Sequence, residues 1–201
     1  MTELCEIMKR HGSDKGLGWH NYTTIYHELF SGKRQDSINL FELGLGTNNI
    51  SIPSNMGVDG KPGASLRGWA EYFENGQIYG ADIDLSILFS GGRIKTYYCD
   101  QTDSIAITNL CDQLDGVEFD IIIDDGLHEF EANMTFMANF IHKLKPNGVY
   151  VVEDLTGRSV NLFRQNLKVL SQVYPNIRFE LTRIPHEYNN VDNNLLIAFA
   201  R

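Results

Sequence analysis

Two acidic segments, FDIIIDDGLHEF and GVYVVEDL, hold the residues best suited to chemistry. The first sets Asp124, Asp125 and His128 just past an apolar run, and the second sets Glu153 and Asp154 just past the next. As ends of neighbouring parallel strands, these runs would bring Asp125, Glu153 and Asp154 to one sheet edge, with His128 beside them. Three carboxylates at one point repel each other unless a cation joins them. Oxygen ligands suit a hard divalent ion such as Mg²⁺, so Asp125, Glu153 and Asp154 are the candidate metal ligands. A histidine next to such an ion is a natural general base, which makes His128, with Asp125, the candidate catalytic pair.

Placing these groups requires alternating strands and helices, and the pattern supplies them. Residues 4–10 read as a short helix stopped by Gly12, and Tyr22, Ile25, Tyr26, Leu29 and Phe30 recur at helical spacing. A strand over 38–43 ends at Gly44, and a Gly/Asn/Pro-rich stretch without period fills 47–65. A helix carrying Leu66, Trp69, Ala70 and Phe73 follows, with Ser65 as its expected N-cap. Strands are predicted at 77–83, 94–99, 119–124 and 149–153, and helices at 104–114, 129–144 and 159–173. Pro146-Asn147-Gly148 reads as the break that ends the helix over 129–144. Two β segments close the chain near 177–183 and 194–200. Unbroken apolar strands separated by helices imply an α/β fold: a Rossmann-like, doubly wound, mostly parallel sheet of seven strands with helices on both faces. With no repeat and no linker, 1–201 reads as one domain, 1–35 forming a helical cap on a core at 36–201. Ligands of such sheets sit outside the carboxyl ends of the strands, where every acidic motif falls.

The bulk numbers exclude several classes. With 201 residues, 42% hydrophobic and 21% charged, the chain reads as soluble and globular. A formal charge of −9 would repel a phosphate backbone, so nucleic acid is not expected as a partner. No apolar run approaches the ~18 residues of a membrane span, and MTELCEIMKRHG lacks the order of a signal peptide. The three cysteines, without metal spacing, read as reduced thiols in the cytoplasm. Homo-oligomerisation is left open.

A ligand site is readable along the other strand ends. Glu42-Leu43-Gly44-Leu45-Gly46-Thr47 brings two glycines to the first, where backbone can pass close to a ligand. The dinucleotide fingerprint GxGxxG is not met, because Asn49 stands where its third glycine belongs. Asp82 ends the second strand and can accept from ribose hydroxyls. Asp100, with Gln101 beside it, ends the third and can accept from an adenine amino group. Asp124 ends the fourth. Acids on successive strand ends suit a ligand with an adenosine and a positive charge.

With these segments in order, the chain resembles the class I S-adenosylmethionine-dependent methyltransferases, and among them the metal-dependent sugar O-methyltransferases of the mycinamicin and macrocin type. HGSDKG, FELGLGT, PGASLRGWAEYF, GADID, DDGLHEF and VEDL carry the resemblance. It implies that Glu42, Gly44 and Gly46 line the amino-acid and ribose part of S-adenosylmethionine, that Asp82 holds the ribose and Asp100 the adenine, and that Asp124 lies near the methionine end. It implies Mg²⁺ on Asp125, Glu153 and Asp154, with His128 as base. Ser65 and Arg67 are candidates for the cofactor carboxylate, and Asn55 and Met56 for the acceptor.

The expected reaction is methyl transfer to one hydroxyl of a sugar or a sugar-containing small molecule. His20 and Tyr22 are expected to close the acceptor pocket, and His186 and Tyr188, between the last two β segments, to touch the acceptor. Two alternatives stand beside this reading. One is a catechol-type O-methyltransferase acting on a vicinal phenol, which would want an apolar slot. Asn48, Asn49, Asn189, Asn190, Asn193 and Asn194 lean towards a sugar instead. The other is a non-catalytic binding protein of the same fold. Trp69 is read as packing rather than as an adenine platform.

Overall fold

Apolar strands buried on both faces dictate a layered molecule, and strand alternation decides which side chain enters which layer. A computed structural model describes residues 1–201. Helices α1 (Glu3–His11) and α2 (Tyr22–Phe30) precede strand β1 (Asn39–Leu43), helix α3 (Ala64–Tyr72), strands β2 (Gln77–Asp82), β3 (Ser90–Gly91) and β4 (Ile94–Tyr98), and helix α4 (Ser104–Gln113). Strand β5 (Phe119–Asp124), helix α5 (Phe130–Phe140), strand β6 (Leu144–Val152), helix α6 (Gly157–Val173) and strands β7 (Ile177–Arg183) and β8 (Asn194–Ala200) complete the chain. The sheet order is β3-β4-β2-β1-β5-β6-β8-β7. Strands β4, β2, β1, β5 and β6 pair in parallel, and β8 runs antiparallel between β6 and β7. The order reverses between β1 and β5, which opens a crevice at their carboxyl ends.

Two clusters of buried side chains cover the two faces. Leu40, Ile121, Ile123, Val149 and Val151 pack with α1, α2 and α3. Phe41, Leu43, Ile122, Tyr150 and Val152 pack with α4, α5 and α6. Continuing the alternation past the strand ends puts Glu42, Asp125 and Glu153 towards the first layer and Asp124 towards the second.

The expected doubly wound sheet is present, with three local differences. There are eight strands rather than seven, because Ser90–Gly91 folds back antiparallel onto β4. Ser65 lies inside α3, whose N-cap is Gly63 in a left-handed conformation. Pro146-Asn147-Gly148 does not stop a helix: α5 and the short 3₁₀ turn after it end by Lys143, and the three residues lie within β6 at an irregularity of its pairing with β5.

The crevice depends on one close backbone approach. Gly44 has φ +88°, and a Cβ on it would lie 1.9 Å from the carbonyl oxygen of Asp125. Gly44→Ala should cost roughly 3 kcal/mol or more, from left-handed strain plus a backbone clash, and lower Tm by about 6–12 °C. Gly57 also has positive φ, but open space surrounds it. Gly57→Ala should cost only ~1–2 kcal/mol, and equal shifts in calorimetry would show that the approach at Gly44 is not tight.

Candidate active site

The carboxyl ends of β1, β2, β4, β5 and β6 open into a cavity of about 660 Å³, within the usual range for small-ligand sites. Gly44, Gly46, Asp82, Asp100, Asp125 and Asp154 are among its lining residues. Backbone hydrogen bonds carry the sheet one residue further at its centre: Asp125 N–H donates to Leu43 O and Glu153 N–H to Asp124 O, each at 2.9 Å. Beyond that point the chain turns sharply. His128 and Asp154 have φ of +62° and +54°, a conformation that non-glycine residues hold only when their surroundings enforce it.

Asp125, His128 and Asp154 converge, with one donor atom of each lying within 4.8 Å of the others. His128 Nε2 is 3.3 Å from Asp125 Oδ1 and 3.6 Å from Asp154 Oδ2. The left-handed turn at Asp154 brings its side chain back towards α2. There the Tyr22 hydroxyl donates to Oδ1 at 2.6 Å, and His20 Nδ1 lies 3.6 Å from the same oxygen.

Glu153, the third carboxylate expected at the ion, lies outside this cluster. Its oxygens are taken by the Lys15 ammonium and the Tyr26 hydroxyl. The reason is the alternation of β6, which aims Glu153 into the layer beneath α2. Lys15, given no role by the sequence reading, is the joining cation there. It is 2% exposed, donates to Asp125 Oδ2 at 2.5 Å and to Glu153, and sits 3.8 Å from Glu42 Oε1.

The electrostatics follow from burial with too little positive charge. Burial pushes the Glu153 carboxyl well up and Lys15 only partly offsets it; burial likewise raises Glu42. Burial and the nearby Asp125 raise Asp154. Burial would raise Asp125 too, but Lys15 and His128 outweigh it and hold the carboxyl below its ordinary range. Burial would lower the His128 imidazole, yet Asp125 and Asp154 bring it up to about 9. Burial would also lower the Lys15 ammonium, and the surrounding carboxylates raise it well above its ordinary value instead.

The residues expected at the cofactor divide in two. Gly44, Gly46, Ser65, Asp82, Asp100 and Gln101 line the cavity. Asp82 already accepts from the backbone N–H of Leu45 at 2.7 Å and of Asp84 at 2.8 Å, which leaves each oxygen one further lone pair. Gln101 is a strut: its amide donates to Asp124 Oδ1 at 2.6 Å and accepts from Leu127 N–H at 2.7 Å. Glu42, Asp124 and Arg67 lie off the cavity wall. Glu42 is fully buried, holding the Ser65 hydroxyl and the Trp69 indole. Asp124, on the opposite face of the sheet, accepts from Gln101 and Asn133, and burial pushes its carboxyl up to about 6. Arg67 is exposed and stacks on Phe89 at 4.5 Å.

On the acceptor side, His20 and Asn55 line the cavity. Met56 lines it too, but its sulfur lies against Gly46, so it faces the glycine turn rather than the acceptor. Tyr22 is fully buried behind Asp154. His186 caps its own loop by accepting from Tyr188 N–H and Asn189 N–H, and Tyr188 is 72% exposed. The asparagines that leaned towards a sugar are mostly engaged in the backbone: Asn48 holds two loop carbonyls, and Asn193 and Asn194 one each. Trp19, Asp14 and Asp192, not singled out from sequence, line the cavity as well.

The sequence and the fold have counterparts among known proteins. The chain is 36% identical over 152 residues to the 8-demethyl-8-alpha-L-rhamnosyl tetracenomycin-C 2'-O-methyltransferase of Streptomyces olivaceus, covering 76% of this chain and 37% of that protein. It is 34% identical over 154 residues to demethylmacrocin O-methyltransferase of Streptomyces fradiae, with coverages of 76% and 36%. The solved structure of MycE methyltransferase from the mycinamycin biosynthetic pathway, in complex with Mg and SAH, superposes with a TM-score of 0.77 at 26% identity, over 100% of this chain and 55% of that one. No protein-family model matches. The chain belongs to the class I S-adenosylmethionine-dependent methyltransferases, as a relative of the mycinamicin- and macrocin-type sugar O-methyltransferases. It spans little more than a third of the length of the curated relatives it matches. No helix is long and apolar enough to cross a membrane.

The hydrogen bonds of Gln101 to Asp124 and Leu127 give it a strut role beside the one expected at the cofactor. Gln101→Ala leaves Asp124 and the Leu127 N–H each short of a partner and should cost about 1–3 kcal/mol, or roughly 2–12 °C in Tm. Unchanged stability with weakened S-adenosylhomocysteine binding would return Gln101 to the ligand set.

Proposed function

We propose that the chain catalyses S-adenosylmethionine-dependent, divalent-ion-assisted methylation of a hydroxyl on a sugar or sugar-bearing metabolite. The observation that carries this reading is the convergence of Asp125, His128 and Asp154 within 4.8 Å, on the wall of a cavity that also exposes the glycine turn after β1. The Asp125 and Asp154 carboxylates are oxygen ligands of the kind Mg²⁺ or Mn²⁺ takes, which leaves the His128 imidazole free to act as a base. A bare glycine turn flanked by Asp82, Asp100 and Ser65 fits a nucleoside with an amino-acid tail. The solved relative, in complex with Mg and SAH, supports both groups. The relatives are O-methyltransferases, one of them of a rhamnosyl compound, which supports a sugar hydroxyl as acceptor.

When bound, the cofactor supplies an electrophilic methyl group and the ion makes a nearby hydroxyl more acidic. The remaining work falls to the chain. Asp125 and Asp154 would hold the ion, with Gly44, Gly46, Ser65, Asp82 and Asp100 around the cofactor. With the negative charge that raises His128 offset by an ion on Asp125 and Asp154, the imidazole is neutral. Its Nε2 can then take the proton from the acceptor hydroxyl, with Asp125 stabilising the imidazolium that results. Tyr22 and His20 keep Asp154 in its turned-back position. Against a catechol-type acceptor stands the polarity of the cavity lining, where Asp14, Ser54, Asn55 and Asp192 join Trp19. Trp19 is 56% exposed, and a sugar ring can lay its C–H face on an indole while its hydroxyls meet the polar groups.

Turnover of S-adenosylmethionine with methyl glycosides and catechols, with and without EDTA, tests the reading. The expected result is product from a vicinal diol of a glycoside, lost with EDTA and restored by Mg²⁺. His128→Ala should lower kcat by about 10²–10⁴-fold while S-adenosylhomocysteine affinity stays within about twofold. Asp154→Asn should abolish the rise in Tm that Mn²⁺ gives the wild type. Catechol turnover with inert glycosides would favour the phenolic acceptor, and rates indifferent to EDTA would remove the ion from the reaction.

A further inference from the structure

We propose that Lys15 is the resident counter-charge of the ion site, a positioning residue that acts through Asp125 to limit how tightly the site holds its ion. The inference rests on the ion-assisted reading above. Lys15 Nζ is shared among Asp125, Glu153 and Glu42 and is almost wholly shielded from solvent. Asp125 is the joint between this ammonium and the ion site. Its Oδ2 accepts from Lys15 at 2.5 Å, while its Oδ1 faces His128 at 3.3 Å. The ammonium therefore selects which oxygen is turned towards His128 and Asp154. It also spends part of the charge that Asp125 offers a bound ion, and repels that ion directly.

These two effects oppose each other, and magnitude decides between them. Losing the anchor loosens Asp125, which weakens ion binding modestly. Losing a unit positive charge about 5 Å from a divalent ion, at an effective dielectric near 20, is a Coulomb effect of several orders of magnitude in affinity, far more than a loosened side chain takes back. Lys15 is thus a brake on affinity, and its effect grows with the charge of the ion. A site built this way holds a divalent ion exchangeably and does not become a sink for trivalent ones.

Free Mn²⁺ followed by electron paramagnetic resonance tests this without any turnover. Lys15→Met should bind Mn²⁺ at least about tenfold more tightly than the wild type, Tb³⁺ luminescence titration should show a larger gain, and Lys15→Arg should stay within about threefold. A merely structural lysine would give weaker Mn²⁺ binding in Lys15→Met, and equal or weaker binding by folded protein overturns the proposal. Because the single variant leaves buried carboxylates unpaired, Lys15→Met/Glu42→Gln serves as a second form. It removes a carboxylate that does not line the cavity, and tighter Mn²⁺ binding is expected of it as well. A wild type that binds no Mn²⁺ sinks the ion site and this inference with it. A binding wild type with unchanged variants sinks this inference alone.

Discussion

The ammonium of Lys15, closed in among Asp125, Glu153 and Glu42, is the contact that lets the acidic end of this sheet exist. Parallel strands must end side by side, so acids at the ends of β1, β5 and β6 are forced within a few ångströms of one another. Removed from water, those charges would push the strand ends apart or hold protons. A single lysine carried in by the segment between α1 and α2 reaches three of them. It does not balance them: burial raises the Glu153 and Glu42 carboxyls, and Lys15 offsets that only in part. A site short of positive charge, open to a cavity on one side, is one where a metal ion lowers the free energy of the fold as well as serving chemistry.

Strand alternation then sorts the acids into roles. Glu42, Asp125 and Glu153 share the face beneath α2 and meet Lys15, whereas Asp124, one residue earlier on β5, points to the other face and braces Gln101 and Asn133. Asp154 would follow Asp124 to that second face if β6 continued. Its left-handed backbone turns it back, and the Tyr22 hydroxyl secures it there. Adjacent carboxylates such as Asp124 and Asp125 thus do unrelated work, one bracing the scaffold and the other facing the cavity.

That sorting marks the limit of what the sequence makes legible. The sheet, its helices and the convergence of Asp125, His128 and Asp154 follow from apolar runs and from acids set just past them. The parity of β6 is also readable, and it argues that Glu153 and Asp154 cannot both face the same partner without a backbone turn. Lys15 is placed by no such pattern: it lies in HGSDKG, a segment that carries the resemblance but has no period, and it meets Asp125 across 110 positions. The asparagines are hard to assign for a related reason, since loop asparagines satisfy backbone groups as readily as they bind ligands. Arg67 and His186 stand next to informative motifs in sequence, but helix phase and loop capping turn them elsewhere.

The segment that brings Lys15 inward also builds the acceptor wall, so one anchor serves both. Lys15 O accepts from Thr23 N–H at 3.2 Å in the first turn of α2, and Leu17 N–H reaches Cys5 Sγ at 3.2 Å in α1. On either side of these ties the chain presents Asp14 and Trp19 to the cavity, and further on it stacks His20 on Tyr22 at 4.7 Å. His20 in turn lies 3.6 Å from Asp154. The wall that would meet an acceptor is therefore fixed by the same carboxylates that would hold an ion. Lys15 at one end of the segment and His20 at the other thus tie this stretch of cavity wall to Asp125 and Asp154.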